Sequence, residues 1–289
     1  MLTNTYPGRI GKGKALFENL RYHLRKTRLY FQNGFKHKSV LFYPDMPSKK
    51  AVLTKVVRSL NYNITNNPSQ PYQLAINWED ATYKKDVGRT INCAVKLNFN
   101  CLDISKVSVD QAFATVFGYS TFVNPLVHEG KMVQKSDENA RHDGIILNGP
   151  IQENEVSSDH IYQLLIDNTD GTDRVKDFRA PVFKGRVPFV YIKFRPIDDR
   201  SSNTNTFTQM VGVREAFTEE EEQLIGSFCD LLQLDYGELD ILRDNSSGKL
   251  YIVDVNNTPW GPPNHLSKDD ANKALSLLSD TFSSTFLKA

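Results

Sequence analysis

Two aspartates stand inside apolar, strand-like runs near the carboxyl end of this chain. The runs are Gly237-Glu-Leu-Asp-Ile-Leu-Arg-Asp244 and Leu250-Tyr-Ile-Val-Asp-Val255, joined through Asn245-Ser-Ser-Gly248. Alternation at period two with turn formers between predicts a hairpin. Asp254 and Asn256 are two residues apart and so leave their strand on one face, and the neighbouring strand offers Asp240 to the same region. An apolar strand tolerates a carboxylate only where it is paired or coordinating. Two carboxylates and an amide oxygen on one sheet face form a hard-oxygen set suited to Mg2+. The alternative for the same residues is a plain hairpin whose aspartates cap its turns.

The rest of the chain reads as a mixed α/β (α+β) protein. Leu16, Leu20 and Leu24 predict an amphipathic helix over 14–28 with a basic outer face. A strand at 39–43 ends at Pro44, Ser48 is the expected cap of a helix carrying Val52, Val56, Val57 and Leu60, and a strand at 72–78 follows turn formers at 61–71. That order predicts a small open α/β unit within 35–100. A helix over 107–118 stops at Gly118. Short strands fill 130–195, the last two joined at Lys184-Gly185. Thr218 opens a helix with Glu221 completing a capping box, and a final helix runs over about 268–287.

The carboxylate hairpin resembles the last sheet of the ATP-grasp superfamily, in which a first-strand acid is followed by acid-x-Asn and then a small residue and Pro. Asp240, Asp254-Val-Asn256 and Thr258-Pro259 fit that pattern, with Asp254 where the family usually has Glu. The likeness is to carboxylate–amine ligases such as the ribosomal-protein glutamate ligases and the D-alanine ligases, and it spans roughly residues 102–262. Lys106 and Lys135 resemble the family's two nucleotide lysines. The loop 136–144 stands in place of its glycine-rich phosphate loop but has one Gly, leaving Asn139, Arg141 or His142 to contribute. Gln163, Leu164 and Leu165 resemble the hinge strand beside adenine. Asp170 falls where an acid holds the ribose, with Asp167 competing. Asp177-Phe-Arg179 resembles the step opening the next strand pair, which adds Arg179 to the nucleotide set. Lys193, Arg195 and Arg214 are cations suited to clamping phosphate.

The resemblance implies an ATP-grasp fold with nucleotide between two mainly antiparallel sheets. Its implied divisions are a basic helix and small α/β domain at 1–100 and a grasp domain at 101–289, with a lid at about 125–170 and a metal-binding part at about 171–289. It also implies ATP and Mg2+ as cofactors, with two ions expected and Mn2+ a possible substitute. The implied reaction is carboxylate–amine ligation through an acylphosphate, with ADP and phosphate released. A phosphotransferase acting on a sugar-like acceptor and a non-catalytic ATP-binding module are the alternatives. No Ser/His/Asp or Cys/His set suggests a covalent nucleophile, and His128, His142 and His160 are scattered.

Composition narrows the partners. No run of 18 apolar residues exists, so no spanning helix is expected, and the first residues lack the apolar stretch of a secretion signal. Three scattered cysteines exclude a disulfide framework or zinc cluster, and the expectation is a soluble, cytoplasmic protein. Residues 1–60 hold 13 Lys/Arg against two acids, whereas the remainder holds 22 against 32. A basic arm of that kind draws in an anionic acceptor or docks on acidic surface, in its own chain or in a homodimer partner. No aromatic–basic RNA motif accompanies it, so nucleic acid is not an expected partner. Gly11-Lys-Gly-Lys14 lacks phosphate-loop spacing and reads as a basic turn. Trp260-Gly261-Pro262-Pro263 forms a stiff loop beside the expected acceptor site.

Overall fold

The computed structural model describes residues 20, 24, 27–35, 38–141, 143–200 and 204–287. Most of the expected helix over 14–28, the turn at 11–14 and His142 lie outside the described residues. Leu20, Leu24 and residues 27–32 are helical, and Leu20, Leu24 and Phe31 are exposed rather than packed.

Three sheets organise the chain. The first is parallel, with strand order β2-β1-β3-β4. It is built from β1 (Ser39–Pro44), β2 (Asn63–Thr65), β3 (Leu74–Trp78) and β4 (Lys96–Leu97), with helix α1 (Val52–Ser59) between β1 and β2. Valines and leucine at one helical spacing bury Val52, Leu53, Val56 and Val57 against it. The helix starts from Ala51 and not at Ser48, whose carbonyl takes the Ala51 N–H at 3.1 Å. β2 forms within the segment read as turns. Its three residues become a strand by pairing with β1, a tertiary effect that local propensity does not carry.

The second sheet is antiparallel, β6-β5-β7, from β5 (Gly130–Ser136), β6 (Ile145–Gly149) and β7 (His160–Leu164). Before it runs α2 (Lys106–Phe117), capped by the Ser105 side chain and closed by Gly118 at φ 78°. The third sheet is fully antiparallel, β10-β9-β8-β11-β12. Its strands are β8 (Arg174–Phe183), β9 (Val190–Pro196), β10 (Phe207–Val211), β11 (Tyr236–Arg243) and β12 (Leu250–Asn256). β10 is a correction, because that stretch reads as an Asn/Thr-rich loop. Between β10 and β11 lie α3 (Val213–Ala216) and α4 (Glu219–Leu231), and Thr218 and Glu221 form the expected capping box.

Period-two alternation gives the third sheet two unlike faces. Phe178, Ala180, Val182, Val190, Ile192, Leu239 and Ile241 form one, under a cover of α2 and α4 that contributes Val109, Phe113, Ile225 and Phe228. The opposite face is aromatic at one end and charged at the other. Phe183, Phe189, Tyr191 and Tyr236 share a core with β1, β3, α1 and the terminal helix α5 (Lys268–Phe282). The chain's last described helix thus packs on its first unit, and Ser59 and Ser279 meet at 2.6 Å between their hydroxyls. Among the described residues no helix is long and apolar enough to cross a membrane.

The β8–β9 connection turns on Lys184 and Gly185 with φ 46° and 73°. A Cβ on Gly185 would meet the Gly226 Cα at 2.8 Å, so this turn needs glycine for space as well as for torsion. Gly185→Ala is therefore expected to lower stability by about 1–3 kcal/mol, read as a reduced urea midpoint with an unchanged slope. An unchanged midpoint would show that the turn and α4 separate freely.

Candidate nucleotide and metal site

The charged end of the third sheet gathers Arg179, Lys193, Arg195, Asp240, Asp254 and Asn256 from the expected site residues. Antiparallel register places Asp240 directly opposite Asp254 on one side and opposite Arg179 on the other, with a bulge after Asp240. Asp177 faces Lys193 in the β8–β9 pair. The side chains interlock as ion pairs. Lys193 Nζ donates to Asp240 Oδ1 at 2.9 Å, Arg195 pairs with Asp177, and Arg179 pairs with Glu238. Buried charges of this kind persist only when matched.

The two facing aspartates sit in different fields. Burial raises Asp240, but Lys193, Arg179 and Arg195 outweigh it and hold that carboxyl well below the usual range. Asp254 has no ion-pair partner among the described residues, and its burial raises it above the usual range, with Asp240 adding to the rise while Lys106 and Lys135 act against it. A partly exposed carboxylate without an ion-pair partner among the described residues, beside an ionised one, is a natural place for a divalent cation. Asn256 adds its amide oxygen, which here accepts from Thr258 N–H at 2.9 Å. Among the described residues no three His, Cys, Asp or Glu side chains are grouped to hold a metal, so the donor set rests on Asp240, Asp254 and the Asn256 amide. Those donors fit Mg2+, which accepts few protein oxygens and keeps water in its remaining positions.

Two lysines approach Asp254 from the opposite side. Lys106, at the start of α2, donates to the Glu138 carbonyl at 2.7 Å, and burial lowers its pKa. Lys135, from β5, has no hydrogen-bond or ion-pair partner among the described residues. Burial pulls it down to about 8, against the pull of Asp254 and with the repulsion of Lys106. Such a cation is stabilised by any anion that arrives.

The 136–144 loop is strapped to its surroundings and is not an open cradle. Asn139 Nδ2 donates to the Ile104 and Val255 carbonyls, each at 3.1 Å, Asp137 accepts from Val107 N–H and the Tyr83 hydroxyl, and Arg141 pairs with Glu138. Asn139 and Arg141 are thereby committed to the fold.

A cavity of about 380 Å3 opens where β7 runs into the 165–173 connection, lined by His128, Lys131, Leu164, Leu165, Asp167 and Arg200 among others. Leu164 and Leu165, the expected hinge residues, line this cavity. Gln163 turns its amide away, with Nε2 donating to the Thr121 hydroxyl at 2.9 Å. Asp170 does not line the cavity; it accepts from Thr172 and pairs with Arg174, and the acids at the rim are Asp167 and Glu129. Arg214 is not brought to the charged face either. It lies on α3 at the helical side, half exposed, beside Glu222 at 3.5 Å and Glu219 at 3.9 Å. Asp177 as an ion-pair partner and Glu238 were missed as site members. Both carried a signal, since each stands two residues from an expected one on the same strand face.

No family model and no curated protein matches the chain. Solved structures do. The ATP-grasp ligase PsnB complexed with a minimal precursor aligns with TM-score 0.54 at 12% identity, over 85% of this chain and 99% of that one. A D-alanine–D-alanine ligase from Bacillus anthracis complexed with ATP gives 0.51 at 13% identity, over 86% and 96%. The macrocyclase MdnC bound with precursor peptide MdnA from Microcystis aeruginosa MRC gives 0.50 at 8% identity, over 87% and 100%. A further PsnB structure, holding a phosphomimetic precursor variant, Mg and ADP, aligns at 0.51 and 11% identity, over 84% and 98%. The chain has the ATP-grasp fold.

A lysine with a pKa near 8 is largely neutral at about pH 9 and regains its proton beside phosphate. Binding of the Mg2+ complex of a non-hydrolysable ATP analogue at about pH 9 is therefore expected to take up on the order of one proton, and far less at about pH 7. Calorimetry in buffers of different ionisation enthalpy reads this uptake. Lys135→Met should abolish it, and equal uptake in that variant would move the phosphate role elsewhere.

Proposed function

We propose that this chain is an ATP-dependent carboxylate–amine ligase that works through an acylphosphate and releases ADP and phosphate. The observation that carries the reading is the Asp240–Asp254 pair on the charged face of the sheet, with Lys106 and Lys135 on its far side, inside an ATP-grasp fold. ATP is assigned to the space between the second and third sheets. Its base lies by Leu164 and Leu165, its ribose by Asp167, and its phosphates toward Lys106 and Lys135. The lid is assigned to about 125–170 and the metal-binding part to about 171–289, following the second and third sheets.

Mg2+ held by Asp240, Asp254 and Asn256, with two ions expected, would supply neutralising charge to the β- and γ-phosphates. The chain's own residues do the remainder. Lys106 and Lys135 stabilise charge on the phosphate oxygens, and Lys135 holds its proton once they arrive. Lys193 and Arg195 now neutralise Asp240 and Asp177. With Asp240 engaged by the cation, Lys193 is free to orient the substrate carboxylate whose oxygen attacks the γ-phosphorus, while Arg195 stays on Asp177 and adds positive charge beside it. The resulting acylphosphate loses phosphate when an amine attacks its carbonyl carbon. Positioning and charge matching account for the whole of this scheme.

Two of the structural relatives are captured with precursors, one of them a peptide, so peptides belong among the acceptors tested. A screen of carboxylates crossed with amines and peptides, read as ADP and phosphate release, tests the reading. Both products are expected only when a carboxylate and an amine are present together. ADP without phosphate, from a single hydroxylic acceptor, would make the protein a phosphotransferase. Asp254→Ala should abolish Mg2+-dependent turnover while retaining the wild-type circular dichroism spectrum, and undiminished ADP formation by that variant would refute the metal assignment.

A further inference from the structure

Beside the charged cluster lie three buried oxygens that the fold leaves without hydrogen bonds. Tyr191 and Tyr236 are wholly buried and Glu238 is 2% exposed, and neither tyrosine hydroxyl nor Glu238 Oε1 has a partner among the described residues. The other Glu238 oxygen is committed to Arg179. All three residues belong to one sheet face. Tyr236 and Glu238 are two apart on β11, Tyr191 is paired with Arg179, and Arg179 is paired with Asp240. Glu238 adds to the upward shift that burial imposes on both tyrosines. Aromatic walls enclose them, with Phe183 against Tyr236 at 5.2 Å and Phe189 against Tyr191 at 4.9 Å between ring centroids.

The loop after β12 closes over this spot. A Cβ on Gly261 would stand 3.9 Å from Glu238 Oε1 and 3.0 Å from a Val52 methyl. The loop is pinned to α1 by Val52 N–H donating to the Pro259 carbonyl at 2.9 Å and by Lys55 Nζ donating to that of Gly261. Buried polar atoms left unsatisfied beside three matched ion pairs call for a guest. A carboxylate oxygen only accepts, and each hydroxyl has lone pairs to offer, so three acceptors surround the space. A primary ammonium has three donors and a positive charge. Water has two donors, and an anion would be set against Glu238.

Resting on the ligase reading, we propose that the primary amine substrate is held here, its ammonium donating to Glu238 Oε1 and the hydroxyls of Tyr191 and Tyr236. Glu238 is two residues from Asp240, so the amine would wait beside the phosphate end of the nucleotide site. Arg179 holds the other Glu238 oxygen and so aligns the carboxyl, and Glu238 and the two tyrosines select amines over carboxylates at this position.

Thermal unfolding of the nucleotide-free full chain tests this with ethylammonium, ethanol and tetramethylammonium as probes. Ethylammonium is expected to raise Tm saturably, and tetramethylammonium, which has no N–H, to leave it unchanged. Glu238→Gln should weaken the apparent affinity for ethylammonium by about fivefold or more. Tyr191→Phe and Tyr236→Phe, which keep their rings in the core, should each weaken it too. A wild-type protein blind to ethylammonium, variants that respond as the wild type does, or ethanol working as well as ethylammonium would each overturn the proposal. The measurement needs no ATP. An intact ethylammonium response with no ADP formed from any acceptor would defeat the ligase reading alone, whereas ligase activity with no such response would defeat this site alone.

Discussion

The structure depends on charge matching across one face of a single antiparallel sheet. Asp177 with Arg195, Lys193 with Asp240 and Arg179 with Glu238 form three cross-strand pairs, and Asp254 is left over. Removing either member of any of these three pairs would strand a charge in a largely buried setting. The strands must therefore hold their register, and a slip of one residue would turn the carboxylates into the apolar core under α2 and α4. Fold and site are the same constraint seen from two sides.

That arrangement also explains why the site is built from several segments. β11 and β12 supply the carboxylates, β8 and β9 the cations that balance them, and α2 and β5 the two lysines that face Asp254. The terminal helix closes the core beneath the aromatic end of the same face, and the loop at 257–263 covers the boundary between aromatic and charged ends. On the proposed function, substrate access, nucleotide binding and folding are coupled through this one surface. A substitution at Arg179 or Lys193 will consequently mix stability with activity, whereas Lys135, which has no partner among the described residues, reports on binding more cleanly.

Much of this was legible in the sequence, and for physical reasons. The carboxylate hairpin, the Gly118 stop, the Thr218 capping box and the Lys184-Gly185 turn each follow from local chemistry, and each is present. Strand β2 was not legible because its three residues become a strand through pairing with β1, whereas Phe207, Thr208 and Val211 gave β10 a strand signal that the Asn/Thr-rich residues before it masked. Ser48 was mistaken for a helix cap because a side chain that suits the role does not reveal which backbone group begins the helix. Arg214 and Asp170 were placed by order along the chain, which ignores which side of a sheet or rim a residue meets. Glu238 was overlooked beside Asp240, although the alternation that selected one selects both.

The central claim is that Asp240, Asp254 and Asn256 grip the cation that accompanies a nucleoside triphosphate. Anomalous diffraction at the manganese edge, from crystals grown with Mn2+ and a non-hydrolysable ATP analogue, tests it most directly. The account predicts manganese bound by all three side chains and bridging to the analogue's phosphates, with Lys193 released from Asp240. Manganese elsewhere, with Lys193 still on Asp240 and Asp254 facing no cation, would contradict it.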